Sequence, residues 1–257
     1  MFYSTRDMVF HVRELSKSIP RRLSDPYFSN QYFVGSGIDI GGLPDPLTLY
    51  SEVFPKMTNV RIWDWNDGDA QFMEGVPANS VDFVHSSHCL EHLENPIDGL
   101  KSWFRIVKPG GHLITTVPEE DLYEQGTFPS TFNQDHKWTF TIHKEMSWSS
   151  KSINVLQLLL SLGQEAEILL LRKLDLHNLY GVQRFDQTRS PVTESCIEFV
   201  VRKRLTLEIK EGGRLPGIKI PDKETLPYLN QYRSDQKTLM AGNKLTPPFQ
   251  NSDFSAE

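Results

Sequence analysis

The sequence predicts an α/β fold, with a mostly parallel sheet, helices on both faces and a C-terminal antiparallel strand. Three observations carry this. Short apolar strands alternate with helical stretches between Gly35 and Pro118, the order that builds a parallel sheet through crossover connections. The helical stretch "NPIDGLKSWFRIV" opens at Pro96 and is followed by the glycines of "KPGG", which suit the start and stop of a helix. Two late apolar runs, "EAEILLLRKLDL" and "ESCIEFVVRKR", are joined by a loop and are placed to pair as an antiparallel edge.

Taken in order, residues 7–18 carry Met8, Val9, Val12 and Leu15 at helical spacing and predict a leading helix outside the sheet. "GIDI" reads as a strand, "PLTLYSEVF" as a helix started by Pro46, and "NVRIWDW" as a second strand. "SVDFVHSS" is a third strand, the helix from Pro96 follows, and "HLITTVP" resumes the sheet after the turn at Gly110 and Gly111. A polar, aromatic segment then runs to His143, ahead of the helix "SINVLQLLLSLG" and the two late strands.

The chain's 257 residues suit one main domain with appendages. We expect a lead-in over 1–34, the main domain over 35–204 with a substrate lid at 119–143, and a Pro- and Gly-rich extended tail over 205–257. A net charge of −6 supplies no basic excess for phosphate backbones, which argues against nucleic acid as substrate. Two cysteines and a charged N-terminus point to a reducing cytoplasm. The longest apolar runs are too short for a bilayer, so no membrane association is expected.

The stretch "GSGIDIGGLPDP" raises the question of a nucleotide. Neither glycine frame gives a dinucleotide fingerprint: one places Ile40 where the third glycine belongs, and in the other "LPDP" delays the helix. A phosphate loop is excluded by the lack of Gly-Lys-Ser/Thr. What remains is a strand ending in an acid, Asp39, with a tight turn at Gly41 and Gly42. A cationic ligand calls for such carboxylates nearby rather than for a bare helix dipole. Asp64 stands at the end of the next strand, where an acid can take ribose hydroxyls, and Asp69 follows it.

The ordered set "GIDIGG", "WDWNDGDA", "NSVDFVHSSHCLEHLENP" and "FRIVKPGGHLITTVP" resembles the class I S-adenosylmethionine-dependent methyltransferases, in particular the small methyltransferase-domain group with an "LEH" segment and a "KPGG" turn. The resemblance implies a Rossmann-like, seven-stranded sheet, S-adenosylmethionine as cofactor and methyl transfer as activity. It assigns Asp39, Gly41 and Gly42 to the methionine and ribose side of the cofactor, Asp64 to the ribose with Trp65 beside it, and Asp69 with Ala70 to the adenine. Ser86 and Ser87 would face the methyl group. The usual run of three alternate glycines after the acid is here Asp39-Ile-Gly41-Gly42-Leu-Pro-Asp45.

Methyl transfer from a sulfonium is largely a matter of alignment and desolvation, with a base needed where the nucleophile carries a proton. His136 is the expected base, oriented by Asp135 or Glu124. His88, Tyr123, Asn133, Lys137 and Arg184 are the expected acceptor contacts, the two cations suiting an anionic acceptor such as a sugar phosphate. A small-molecule oxygen, in sugar or surface-glycan chemistry, is the expected target. Two other readings are carried: a cofactor-binding partner or regulatory subunit, and a metal-dependent hydrolase on His88 and His92, which stand at i and i+4 among His85, Cys89 and Glu91. "HCLEH" lacks the Glu of the zinc protease motif, and no metal is assigned. A homodimer through the tail is the expected assembly.

Overall fold

The computed structural model describes residues 13–215. Helix α1 runs over Glu14–Ser24 and α2 over Pro26–Tyr32. Of the leading helix expected at 7–18, residues 7–12 lie outside the described residues, and the helix continues through Pro20 to Ser24. Asp25 ends α1 and opens α2, its carboxylate accepting from the Phe28 N–H with Pro26 next in line, an N-cap followed by the residue best suited to the first helical position.

The sheet holds β1 (Gly35–Ile40), β2 (Met57–Trp63), β3 (Val81–Ser87), β4 (Val107–Pro118), β7 (Ala166–Leu174) and β8 (Cys196–Lys203) in the order β2-β1-β3-β4-β8-β7. β1 to β4 pair in parallel, while β8 runs antiparallel to both β4 and β7. This is the mostly parallel sheet with one antiparallel strand that the sequence predicts, with six strands in place of seven. The short strands β5 (Thr139–Thr141) and β6 (Ser152–Asn154) form their own two-stranded parallel sheet.

Three local expectations are corrected. The stretch after Pro46 is a single 3₁₀ turn, Leu47–Tyr50, with i to i−3 bonds, and its first amide, Leu47 N–H, is capped by the Asp39 carboxylate at 2.8 Å. "KPGG" belongs to β4 and does not separate a helix from a strand; Gly110 at φ +88° sits where the register between β3 and β4 shifts, a bulge in the ladder. The helix expected from Ser152 begins later, as α4 (Val155–Leu160), capped by Asn154, since Ser152–Asn154 is paired with β5.

Helix α3 (Pro96–Ile106) covers one face of the sheet, burying Leu100, Trp103, Phe104 and Ile106 with Ile38, Leu113 and Phe199. Its N-cap Asn95 accepts from the amides of Ile97 and Asp98. The Asn95→Ala variant is expected to lose about 1 kcal/mol of stability, read as a lowered urea midpoint with an unchanged slope.

Helices α1 and α2 cover the other face, where Leu15, Phe28 and Phe33 meet Phe83, Ile114 and Val200. The centre of this contact is charged. Glu198 of β8 is fully buried and receives Arg22 and Arg21 of α1 and Arg172 of β7, the last two at 3.0 and 2.6 Å. Burial by itself would raise the Glu198 carboxyl, but Arg22, then Arg21 and Arg172, hold it at about 2. Arg21 also binds Glu194 at 2.6 Å, so α1 is clamped to the late strand by both its arginines.

β8 leads into the short helix α5, Thr206–Lys210. Residues 216–257 of the expected tail, and with them the expected dimer contact, lie outside the described residues. Among the described residues no helix is long and apolar enough to cross a membrane.

Candidate active site

In the strand order, β2 lies to one side of β1, and β3 and β4 lie to the other. The crevice beyond the carboxyl ends of β1 and β3 is therefore the switch point where open α/β sheets take their ligands. A cavity of about 500 Å³ occupies it, walled by α1 (Glu14, Leu15), the turn after β1 (Gly41 to Asp45), the turn after β3 (Ser87, His88, Glu91, His92) and the 119–143 segment (Tyr123, Asn133, His136). That is an ordinary size for a small-molecule site.

The wall after β1 is a braced turn. The Asp39 carboxylate accepts from Leu47 N–H and lies 2.7 Å from His85 Nδ1, both residues being buried. Gly41 has φ +68°, and a Cβ there would lie 3.0 Å from that of Cys89; one on Gly42 would lie 2.5 Å from an Asp39 oxygen. The two glycines thus let backbone pack where side chains have no room. Asp45 accepts from Ser16 N–H at 2.8 Å and from the Tyr50 hydroxyl, which ties the turn to the first turn of α1. Beneath the turn, Asp64 accepts from the Leu43 and Trp65 amides.

The opposite wall is built on "HCLEH". His88 sits at φ +55°, in the left-handed region that a non-glycine residue enters only when held, and its amide donates to the Thr116 carbonyl. Glu91 is fully buried, and neither of its carboxylate oxygens has a hydrogen-bond partner. Around its Oε1 stand His88 Nδ1 at 3.3 Å, His136 Nε2 at 3.8 Å and His92 Nε2 at 4.0 Å. Burial opposes ionisation of Glu91, yet the neighbouring His88 imidazole, 3.3 Å away, holds its carboxyl below the usual range. Burial likewise works against His88, and Glu14 with Glu91 overcomes it to raise the imidazole.

His136 Nδ1 lies 2.7 Å from Glu124 Oε1, both residues being buried. Glu124 is thus the acid that orients His136. Asp135, the other acid named for that role, is exposed and contributes only its carbonyl, to His92 Nδ1 at 3.2 Å. The segment bearing His136 is packed. Fully buried Glu120 gathers Thr139, Lys144, Ser147 and Ser152 onto one carboxylate.

Of the expected cofactor and acceptor residues, the cavity brings together Asp39, Gly41, Gly42, Ser87, His88, Tyr123, Asn133 and His136. The others stand apart from it. Ser86 is buried with its hydroxyl on the Ile40 carbonyl. Trp65 is 96% exposed. The Asp69 carboxylate accepts from Gln71 N–H, and the Ala70 carbonyl from the Trp103 indole. Lys137 is exposed and paired with Glu94. Arg184 donates to the Glu124 carbonyl and stacks on Phe132, lining a separate cavity of about 270 Å³. The hydrolase pair is also rearranged: it is His92 and His136, with Glu91, whose ligand atoms come together. Burial first, and Glu91 second, push the Cys89 thiol up to about 12, which leaves it inert as a nucleophile.

Sequence reasoning did not name Arg13 or Glu14 as part of the site, because α1 is carried to the cavity by contacts far away in sequence, the clamp at Glu198 and the Ser16–Asp45 bond. Arg13 lines the cavity with a buried Nη1 that has no partner.

Residues 11–154, more than half of the 257, match the model of a family described as a methyltransferase domain. The chain belongs to this family of methyltransferase domains. Similar solved structures include a SAM-dependent methyltransferase from Archaeoglobus fulgidus, 15% identical over 74% of this chain and 94% of that one, with a TM-score of 0.46. Another is an S-adenosylmethionine-dependent methyltransferase from Clostridium acetobutylicum, 12% identical over 76% and 93%, with a TM-score of 0.47. No curated protein matches the sequence.

The residues present fit the cofactor. A free guanidinium nitrogen on Arg13 suits a carboxylate, the Gly41–Gly42 turn admits a ligand close to backbone, and Glu14, Asp39 and Asp45 place negative charge where a sulfonium is to be held.

Proposed function

We propose that the enzyme methylates an oxygen of a small-molecule acceptor bound against the histidine cluster, a sugar or sugar-derived hydroxyl being the acceptor class this wall suits. The observation that carries it is His136: the Glu124 carboxylate accepts a hydrogen bond from Nδ1–H, so a neutral ring keeps its lone pair on Nε2, beside Glu91. Through that atom His136 acts on the acceptor hydroxyl, and Asn133 and Tyr123 frame the approach.

Arg13 and the turn at Gly41 and Gly42 hold the cofactor's amino-acid end in this reading, and Asp64, under the same turn, holds its ribose. The cofactor supplies a methyl group on a positively charged sulfur that departs as a neutral thioether. The protein's part is to exclude water, align the acceptor oxygen and draw off its proton. The 119–143 segment closes the cavity as its acceptor wall.

The test is calorimetric titration of S-adenosylmethionine and its demethylated product into wild type and Asp64→Ala. Micromolar binding, about −8 kcal/mol, is expected for wild type, with at least a tenfold loss in the variant. Unchanged affinity in the variant would remove Asp64 from the cofactor site. Acceptor screening against candidate sugars and other hydroxyl compounds then follows release of the demethylated cofactor.

A further inference from the structure

We propose that Glu91, His92 and His136 bind a first-row divalent cation on the acceptor side of the cavity. Their ligand atoms already lie within 4.8 Å of one another. The proposal deepens the oxygen-methylation reading and rests on it for the ion's purpose, but ion binding itself is independent of turnover.

The argument is one of donors and acceptors. His92 Nδ1 faces the Asp135 carbonyl, which can only accept, so Nδ1 carries the proton and Nε2 of the neutral ring carries a lone pair. His136 is fixed the same way by Glu124. Glu91 adds a fully buried carboxylate neither of whose oxygens makes a hydrogen bond, with His88 Nδ1 ion-paired to Oε1 at 3.3 Å. Three electron-pair donors therefore converge, at 3.8 and 4.0 Å from the Glu91 oxygen to the two imidazole nitrogens. Those separations are beyond a hydrogen bond, so no shared proton bridges them.

A cation resolves the convergence. Nitrogen and oxygen donors bind such ions at roughly 2.0–2.2 Å, which sets tetrahedral donors ~3.4 Å apart, so the two Glu91 separations need contract by only about half an ångström. The outer contacts are those a metal site requires, each ligand imidazole giving its other N–H to a carboxylate or a backbone carbonyl. Two imidazoles and one carboxylate favour Zn²⁺, Mn²⁺, Fe²⁺ or Co²⁺ over the all-oxygen preferences of Mg²⁺ and Ca²⁺. Three protein ligands leave positions for an acceptor oxygen, which the charge would hold and acidify; with the ion bound, the Nε2 lone pair of His136 is on the metal, and His136 acts on the hydroxyl through the ion rather than as the base itself. His88, bonded to Glu91 at 3.3 Å, positions the carboxylate.

The experiment is titration of the full-length protein with Zn²⁺ by calorimetry and with Co²⁺ by visible absorption, in wild type, His92→Ala and Glu91→Gln. S-adenosylmethionine is titrated separately into each. One ion per chain is expected in wild type, with Co²⁺ bands of nitrogen and oxygen ligation, and affinity lower by on the order of 100-fold in both variants. His92 is part-exposed, so its variant tests the site even if Glu91→Gln fails to fold. No ion binding in wild type, or equal binding in wild type and folded His92→Ala, overturns the site. Ion binding that needs His92, in a protein that does not bind S-adenosylmethionine, supports the site and sinks the methyl-transfer role given to it.

Discussion

The Glu198→Gln variant is expected to lose about 3–5 kcal/mol of stability, the usual cost of breaking a buried ion pair from one side. At 2–4 °C per kcal/mol for a domain of this size, the thermal midpoint falls by roughly 6–20 °C. The magnitude follows from what remains: Arg22 is buried and Arg21 and Arg172 part-buried around an oxygen that no longer carries charge. The pH dependence has a definite sign. The folded carboxyl sits at about 2 against a usual value near 4.5, so its contribution is fully present above the unfolded value and is lost as pH falls from about 4.5 toward 2. Thermal melts of wild type and variant should therefore converge across that window and stay apart at neutral pH. Parallel curves throughout would mean that packing, rather than charge, sets the role of Glu198.

His136→Ala is expected to slow methyl transfer by 10²–10⁴-fold, followed as release of the demethylated cofactor with an acceptor identified by screening. Cofactor affinity should stay within about twofold, since the proposed function puts the cofactor on the wall after β1. Glu124→Gln is the sharper probe. It keeps the shape of the acid but can present an N–H to Nδ1, favouring the other tautomer, so kcat should fall while KM holds. An unchanged kcat in both variants would remove the imidazole from the reaction.

Much of the sheet was legible because β1, β3 and β4 are apolar runs between turn residues, and α3 carries Asn95-Pro96 at its start. The helix after Pro46 was misread because its apolar spacing and opening proline suit a helix, whereas the chain makes only i to i−3 turns there. The pairing of Ser152–Asn154 with Thr139–Thr141 escaped because it is organised by Glu120 from another segment. In the site, Asp39, Gly41, His88 and His136 were visible as residue types that cationic-ligand binding and proton transfer require. The Glu124–His136 contact was named as one of two options, and geometry decides it. Arg13 carried no signal, because its place depends on a clamp 176 residues away in sequence, between Arg22 and Glu198.

That clamp also orders events while the chain is being made. Arg13 and Glu14 leave the ribosome early, yet the partner that pins their helix emerges ~10–35 s later at common elongation rates of 5–20 residues per second. Until β8 has been translated and inserted between β4 and β7, the wall that α1 supplies lacks its clamp. An unfinished chain therefore holds that wall by its early contacts alone, Ser16 with Asp45 and Glu14 with His88, and gains the charged clamp only when synthesis of the domain is nearly complete.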